Sequence, residues 1–136
     1  MRILGLDPGE KRIGVAMSDP LGITAQALQV ITRTGLEKDI ALIGDICRSY
    51  GVELIVMGLP RNMDGTEGEK AKAARRLAEK LQESLGVRVV LWDERLSTRA
   101  AEQTLLEADM SRRRRKQVVD KIAAAYILQG YLDSLP

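Results

Sequence analysis

The strongest constraint on the fold is a unit of helix, glycine and strand that occurs twice along the chain. In the first unit, apolar residues at helical spacing cover 36–50, Gly51 follows, and an apolar strand covers 52–57. The second unit repeats this order through another amphipathic segment, Gly86 and a strand at 87–92. A glycine after a helix favours a left-handed cap. Two successive units of this kind predict right-handed crossovers and parallel strands.

Both of these helices are preceded by a capping-box pattern, in which a threonine is followed three residues later by a glutamate. Thr34 and Glu37 stand at the start of the first helix, and Thr66 and Glu69 at the start of the second. The pattern predicts that threonine side chains cap the first N–H groups of each helix.

The first third of the chain has a different pattern, with three strands expected at 3–6, 12–18 and 23–31. The connection between the first two strands is a short turn around Pro8-Gly9-Glu10. Such a short connection predicts that these two strands pair as an antiparallel hairpin.

The last third of the chain is helical by its pattern, at 97–108 and at 116–132. No interior linker rich in proline, glycine or serine divides the sequence, so we expect a single domain over residues 1–136. The sum is an α/β fold with a five-stranded mixed sheet flanked by helices. Three antiparallel strands come first, and two parallel strands follow.

Composition excludes several kinds of chemistry. The 136 residues include no histidine and one cysteine, Cys47. A Ser-His-Asp triad, a Cys-His pair, His-ligated zinc and an internal disulfide are therefore excluded. Aromatic residues make up 3% of the chain, too few for a platform that stacks single-stranded bases. Cys47 lies among apolar residues, which predicts a reduced thiol in the core.

No part of the sequence has the pattern of a targeting or membrane-spanning segment. An acid at Asp7 comes too early for a signal peptide, and no apolar run reaches the length of a membrane span. We therefore expect a soluble protein of the cytoplasm.

Carboxylates end two of the predicted strands. Asp7 follows the first strand and shares a face with Ile3 and Gly5, because side chains alternate along a strand. Asp93 and Glu94 follow the last strand directly. Ligands of open α/β sheets bind beyond the carboxyl ends of the strands. These acids therefore converge if the first and fifth strands are near neighbours.

A further acid, Asp120, lies on a helical face whose other residues are small or apolar: Ala123, Ala124 and Ile127. A buried, unpaired carboxylate is disfavoured, so Asp120 would hold a proton, pair with a cation or bind a metal ion. Oxygen ligands from distant positions match Mg²⁺ or Mn²⁺. Two such ions can activate water and stabilise the leaving oxygen in phosphodiester cleavage.

Each acid also has a purely structural interpretation. Asp7, followed by proline and glycine, suits a turn. Asp93 and Glu94, followed by Arg95, suit a surface loop with internal ion pairs. Asp120 suits the edge of an amphipathic helix, paired with a neighbouring lysine. From the residues alone, these interpretations and the metal site remain open.

The net charge is only +2, but five neighbouring cations stand together as Arg112, Arg113, Arg114, Arg115 and Lys116. Like charges repel, so we expect this basic run to be a mobile loop. It is a candidate clamp for a nucleic-acid backbone, because phosphate contacts position a substrate without reading its sequence. A simple solvated loop is the alternative.

Four sequence blocks follow one another along almost the whole chain, and together they are specific for one family. They are Leu6-Asp7-Pro8-Gly9 with Arg12-Ile13-Gly14-Val15-Ala16, residues 58–68 (GLPRNMDGTEG), residues 93–98 (DERLST) and residues 119–124 (VDKIAA). With these blocks the sequence resembles the YqgF family, also called RuvX, within the ribonuclease H-like and RuvC-like nucleases. The resemblance implies a ribonuclease H-like fold and a magnesium-dependent nuclease.

The resemblance also implies site residues. The catalytic acids would be Asp7, Glu94 and Asp120, with Asp93 adjacent as a further metal ligand. Members of the family are described as nucleases that process the 5′ end of pre-16S ribosomal RNA, and as Holliday-junction resolvases. RuvC resolvases carry two acids one helical turn apart on the final helix. Here Ala123 stands three residues after Asp120, which weakens the resolvase assignment.

Basic and polar residues beside the acids are candidate contacts to phosphate or sugar: Lys11, Arg12, Arg61, Asn62 and Arg95. The alternatives are a structural turn for Arg61 and Asn62, and charge balance for the others. Our leading hypothesis is a metal-dependent nuclease acting on structured RNA, with pre-ribosomal particles as partners. A junction-resolving DNA endonuclease and a non-catalytic nucleic-acid-binding module are the alternatives, and the oligomeric state stays open.

Overall fold

The computed structural model describes residues 2–93 and 112–136, without the side chains of 112–121. The described strands and helices, in chain order, are β1 (Arg2–Pro8), β2 (Arg12–Ser18), β3 (Ala25–Thr32), α1 (Leu36–Tyr50), β4 (Val52–Leu59), α2 (Glu69–Leu85), β5 (Arg88–Asp93) and α3 (Arg112–Ser134). None of these helices is long and apolar enough to cross a membrane. The helix expected at 97–108 lies outside the described residues.

The five strands form one sheet in the order β3-β2-β1-β4-β5. β2 is antiparallel to both β1 and β3, whereas β4 is parallel to both β1 and β5. The predicted mixed sheet, with a hairpin first and parallel strands later, is confirmed. β1 is the central strand, and the carboxyl ends of β1, β4 and β5 lie along one edge of the sheet.

β1 alternates between two hydrophobic cores on opposite faces of the sheet. Leu4 and Leu6 pack into the core formed with α1 and α2. Ile3 packs into the core formed with α3, which includes Val56 and Leu128. Because successive side chains point to opposite faces, Asp7 is expected on the α3 face, like Ile3.

The two predicted capping boxes are wrong, because other side chains use the groups involved. α1 begins after Gly35 and α2 after Gly68, and neither helix has a side-chain cap. Thr34 donates its own N–H to Asp39 over 3.2 Å. The Thr66 hydroxyl is committed to the preceding loop, where it donates to Asp64 over 2.6 Å. The predicted left-handed caps are confirmed, at Gly51 with φ 64° and at Gly86 with φ 66°.

The boundaries of two other elements differ from the prediction. β3 begins at Ala25 rather than at residue 23, because the Asp19 carboxylate accepts the N–H groups of Ile23 and Thr24 and holds that segment as a turn. The N–H of Ile23 also lowers the pKa of Asp19. The basic run is helical rather than a loop, since α3 begins at Arg112. Arginine and lysine lose little side-chain freedom in a helix, which offsets their mutual repulsion.

Candidate functional site

Asp7 lies near the carboxyl end of the central strand, opposite Gly14 of β2. Only 8% of its surface is exposed, which makes it one of three buried polar residues among those described. Its face of the sheet is that of Ile3 and Gly5, which is covered by α3. The predicted position of Asp7, at the end of the first strand, is confirmed.

Gly5 allows α3 to approach β1 at backbone distance. A Cβ atom at Gly5 would lie 2.8 Å from Cβ of Leu128 and 3.0 Å from the main-chain oxygen of Ala124. Farther along α3, Gln129 accepts the N–H of Ala25 over 2.9 Å, at the amino-terminal side of β1. α3 therefore runs back along β1 as the sequence number falls. The backbone of Asp120, one turn before Ala124, belongs to the half of the helix nearer the carboxyl end of β1.

Asp93 projects to the other face of the sheet. Trp92 is in register with Gly58 and packs edge-on against Tyr131 of α3, with ring centroids 5.8 Å apart. Asp93, the next residue, is in register with Leu59, whose side chain lies in the core on the α1 and α2 side. β4 also separates β1 from β5, so the Asp7 and Asp93 backbones lie roughly 10 Å apart.

The predicted acids are therefore not all brought together within the part of the chain that is described. Asp7 and Asp93 occupy the same edge of the sheet on opposite faces. Glu94 and Arg95 lie outside the described residues, and so does the side chain of Asp120. In residues 2–93 and 122–136, no three acidic or cysteine side chains are close enough to hold one metal ion.

Arg61 connects the end of β4 with the end of β5. One of its terminal nitrogens lies 3.8 Å from a carboxylate oxygen of Asp93, and the other lies 3.8 Å from Glu67. Its Nε atom is buried and has no hydrogen-bond partner in the described part of the chain. Glu67 in turn receives two hydrogen bonds from Arg75 of α2, at 2.7 and 2.8 Å. These bonds lower the pKa of Glu67 and raise that of Arg75.

The loop that carries Arg61 is built by its own hydrogen bonds. The Asn62 side chain donates to the Thr66 hydroxyl over 2.9 Å, and its N–H donates to the Thr66 main-chain oxygen over 2.9 Å. Gly65 turns the chain with φ 88° and donates to Asn62 over 2.8 Å. The amide nitrogen of Asn62 is thus used inside the loop, as its structural interpretation expects.

A buried ion pair, which sequence reasoning missed, holds the turn after Asp7. Arg33 donates through Nε to Asp39 over 2.9 Å and through a terminal nitrogen to the main-chain oxygen of Gly9 over 2.9 Å. The signal was available in α1, where Asp39 occupies the same helical face as Ile43 and Ile46. A charged residue at a core position indicates a fixed partner.

A cleft of about 250 Å³ opens beside this turn, between it and α2. Its cationic lining residues are Arg33 and Lys70, and its wall includes Asp7. Lys11 and Arg12 are exposed on the neighbouring turn. Of the basic run, the structure describes only the helical backbone. The described cations near the carboxyl end of β1 are therefore Arg33, Lys70, Lys11 and Arg12, with Glu10 also lining the cleft.

Comparison with known proteins identifies relatives over almost the whole chain. The RuvX family model, described as a Holliday junction resolvase, matches residues 1–134. Similar proteins from Symbiobacterium thermophilum, Moorella thermoacetica and Syntrophomonas wolfei carry the provisional name of pre-16S rRNA nuclease. In that order they are 60%, 58% and 56% identical to this chain. The matches cover 98%, 99% and 98% of this chain and 93%, 96% and 94% of the relatives.

Two solved structures share the fold. RuvC of Thermus thermophilus, in complex with a Holliday junction substrate, matches with a TM-score of 0.62 and 14% identity, over 98% of this chain and 97% of the other. The fowlpox virus resolvase, in complex with Holliday junction DNA, matches with a TM-score of 0.58 and 11% identity, over 98% of both chains. At these identities the likeness shows the fold alone, which is the predicted ribonuclease H-like fold.

Proposed function

Since this chain belongs to the RuvX family, we propose that it is a metal-dependent nuclease that hydrolyses phosphodiester bonds in structured RNA, at the 5′ end of pre-16S rRNA. One observation carries the proposal: a nearly buried carboxylate, Asp7, ends the central strand under a helix that touches that strand at backbone distance. The names of the similar relatives support the substrate. We assign the reaction to the cytoplasm and to pre-ribosomal particles as partners.

Carboxylates at this edge suit a hard divalent cation. Mg²⁺ and Mn²⁺ prefer oxygen ligands, and the chain has no histidine to offer instead. Asp7 fits as a ligand because its nearly buried carboxylate lies at the carboxyl end of the central strand. The direction of α3 supports Asp120 as a second ligand, because its backbone lies on the Asp7 side of Ala124.

The third ligand in this proposal is Glu94 rather than Asp93. The Asp93 side chain lies on the face away from Asp7, where Arg61 is its neighbour. Glu94 is the acid that the family resemblance assigns to catalysis, so it takes this place in the proposal. In this proposal, Asp93 is the ion-pair partner of Arg61 and is not a metal ligand.

In the proposed reaction, the oxygen of a water molecule forms a bond to phosphorus while the bond from phosphorus to the 3′ oxygen breaks. The 3′ oxygen leaves with a proton, and the new end carries a 5′-phosphate. When bound, a divalent cation supplies the positive charge that activates water and stabilises the leaving oxygen. Asp7, Glu94 and Asp120 would hold the cation, and the buried position of Asp7 would limit access of bulk water.

The cationic side chains around this edge bind the flanking phosphates. In this proposal they are Lys11, Arg12, Arg61, Arg95 and the run Arg112, Arg113, Arg114, Arg115 and Lys116. Asn62 contributes to this binding by holding the loop that carries Arg61. These contacts hold the RNA backbone without reading bases, so the shape of the RNA determines where it is cut.

The test is cleavage of a precursor 16S rRNA fragment with Mg²⁺ or Mn²⁺ by the Asp7→Asn variant. We expect loss of cleavage with an unchanged circular dichroism spectrum, because the amide keeps the shape and loses the charge. Asp45→Asn, an exposed acid on α1, is the matched control and should cut normally. Full activity of Asp7→Asn would refute the nuclease assignment. Faster cleavage of a four-way DNA junction than of the RNA by the unmodified chain would refute the substrate.

A further inference from the structure

The position of the Arg61 guanidinium is unusual for an ion pair. Both of its carboxylate neighbours, on Asp93 and Glu67, stand 3.8 Å away. Hydrogen-bonded arginine–carboxylate pairs are about 2.7–2.9 Å long. Arg61 is thus close enough to both carboxylates for charge attraction, but its N–H groups donate no hydrogen bond to either of them. Its buried Nε also lacks a partner within the described ranges.

A phosphate group fits the open donors on the terminal nitrogens of Arg61, whereas the buried Nε lies out of its reach. The guanidinium is planar, always charged and presents its N–H groups in a fixed fork, which matches two oxygens of a phosphate. The side chain is 35% exposed, so an incoming backbone can reach it. Arg61 also follows β4 directly, at the sheet edge where nucleic acid approaches the carboxyl end of β1 in the proposed function.

Glu67 differs from Arg61 in being held firmly. Arg75 binds both of its carboxylate oxygens, at 2.7 and 2.8 Å. Arg75 projects from α2, so Glu67 is connected to a regular helix rather than to the loop alone. A long arginine side chain loses considerable freedom when it is held in one place. The fixed carboxylate of Glu67 therefore reduces the number of positions that the Arg61 side chain samples before a ligand arrives.

We propose that Glu67 is a positioning residue for phosphate binding: held by Arg75, it keeps the Arg61 guanidinium at the ends of β4 and β5, ready to contact a backbone phosphate of bound RNA. This inference rests on the proposed function, since it takes RNA as the ligand. Asp93 is the second carboxylate that keeps Arg61 there.

The proposal predicts the opposite sign from simple electrostatics. Removing the charge of Glu67 lowers the repulsion of a polyanion, so a pure charge effect would strengthen RNA binding. If Glu67 positions Arg61, the same change weakens binding because the guanidinium is no longer held. The sign of the change in affinity therefore separates the two explanations.

The experiment measures binding of the full chain to a fluorescently labelled RNA hairpin with a single-stranded 5′ extension, by anisotropy, in EDTA. The variants are Glu67→Gln, Arg61→Met and the double variant. We expect each single variant to bind about three- to tenfold more weakly, as for loss of one ordinary hydrogen bond. Each should also lower the slope of log K against log salt by about 0.7–0.9. The double variant should bind as weakly as Arg61→Met alone.

Glu69→Gln is the matched control. Glu69 is also an acid in this region, at the start of α2, and its ion pair with Lys72 at 3.5 Å does not involve Arg61. It should bind RNA as tightly as the unmodified chain, or slightly more tightly. If Glu67→Gln fails to fold, Glu67→Asp gives a second test, because it keeps the negative charge and shortens the side chain, so weaker binding cannot come from a change in charge.

Equal or tighter RNA binding by Glu67→Gln would overturn the inference, as would a further loss of affinity in the double variant. A lower melting temperature with unchanged affinity would show a structural role only, and would overturn it too. Absence of salt-dependent RNA binding by the unmodified chain would overturn this inference together with the proposed substrate. An active Asp7→Asn variant would overturn the nuclease assignment and leave the binding result standing.

Discussion

The guanidinium of Arg33 forms an ion pair of 2.9 Å with Asp39, whose side chain has no exposed surface. The same carboxylate accepts the N–H of Thr34, and the same guanidinium donates to the carbonyl of Gly9. One buried acid at the start of α1 thereby connects the end of β3 with the turn that follows Asp7. The ion pair holds in place the segment on which the proposed site depends.

Asp39→Ala should lower the free energy of unfolding by about 3 kcal/mol, because it leaves the largely buried Arg33 charge without its partner. Urea denaturation followed by circular dichroism measures the change. The matched control is Asp45→Ala on the same helix, whose partner Arg48 is as exposed as Asp45 itself. The control should change stability by less than about 0.5 kcal/mol. Equal effects of the two substitutions would contradict the role given to Asp39.

Gly5→Ala should destabilise the chain by about 1–3 kcal/mol and weaken cleavage, because its Cβ would overlap Leu128 and the Ala124 carbonyl and push α3 away from β1. Thermal unfolding and the RNA cleavage assay together measure both effects. Gly68→Ala has its nearest atom 3.9 Å away and serves as the control. A fully stable and active Gly5→Ala variant would show that close approach of α3 is not required.

The Glu67 carboxyl should titrate below the ordinary range of glutamate, since Arg75 holds its pKa down. The pKa is lower in the folded than in the unfolded chain. The ion pair therefore contributes fully above the unfolded-state value, and this contribution is lost as the pH falls through the folded-state value. Carboxyl chemical shifts measured by NMR during acid titration give the pKa. In Arg75→Met it should return toward the ordinary value, and an unchanged titration there would exclude Arg75 as the cause.

Cys47 should be inert toward a thiol reagent such as DTNB in the folded protein. Burial raises the pKa of its thiol, so little thiolate forms at mildly alkaline pH, and only 6% of the residue is exposed. Guanidinium chloride should release one reactive thiol per chain, measured by absorbance. Rapid stoichiometric labelling without denaturant would contradict the buried position.

Much of the fold could be predicted because the strands differ in pattern and the connections differ in length. The short turn at Gly9 required a hairpin, and the helix that ends at Gly51 required a crossover to a parallel strand. Asp7 was correctly placed at the end of the first strand, since a short apolar run can be recognised without its partner. The burial of Cys47 followed in the same way from its apolar neighbours.

The failures share a physical cause: each depended on a competing partner outside the pattern itself. The threonine of each capping box found a different acid, Asp39 or Asp64, and the sequence does not rank such partners. The face of Asp93 depended on Trp92 packing against Tyr131, which lies in another part of the chain. The ion pairs of Arg61 form because the loop after β4 lies beside the end of β5, and this contact exists only in the folded chain.

The central place of β1 in the sheet also determines when a growing chain acquires its proposed chemistry. Synthesis delivers β1 first, but its neighbour β4 emerges after two more strands and a helix, and α3 emerges last of the described elements. Because Asp7 and Asp120 are separated by most of the polypeptide, no nascent fragment can bring them together. In the proposed site, an unfinished chain that lacks α3 therefore also lacks one of the proposed metal ligands.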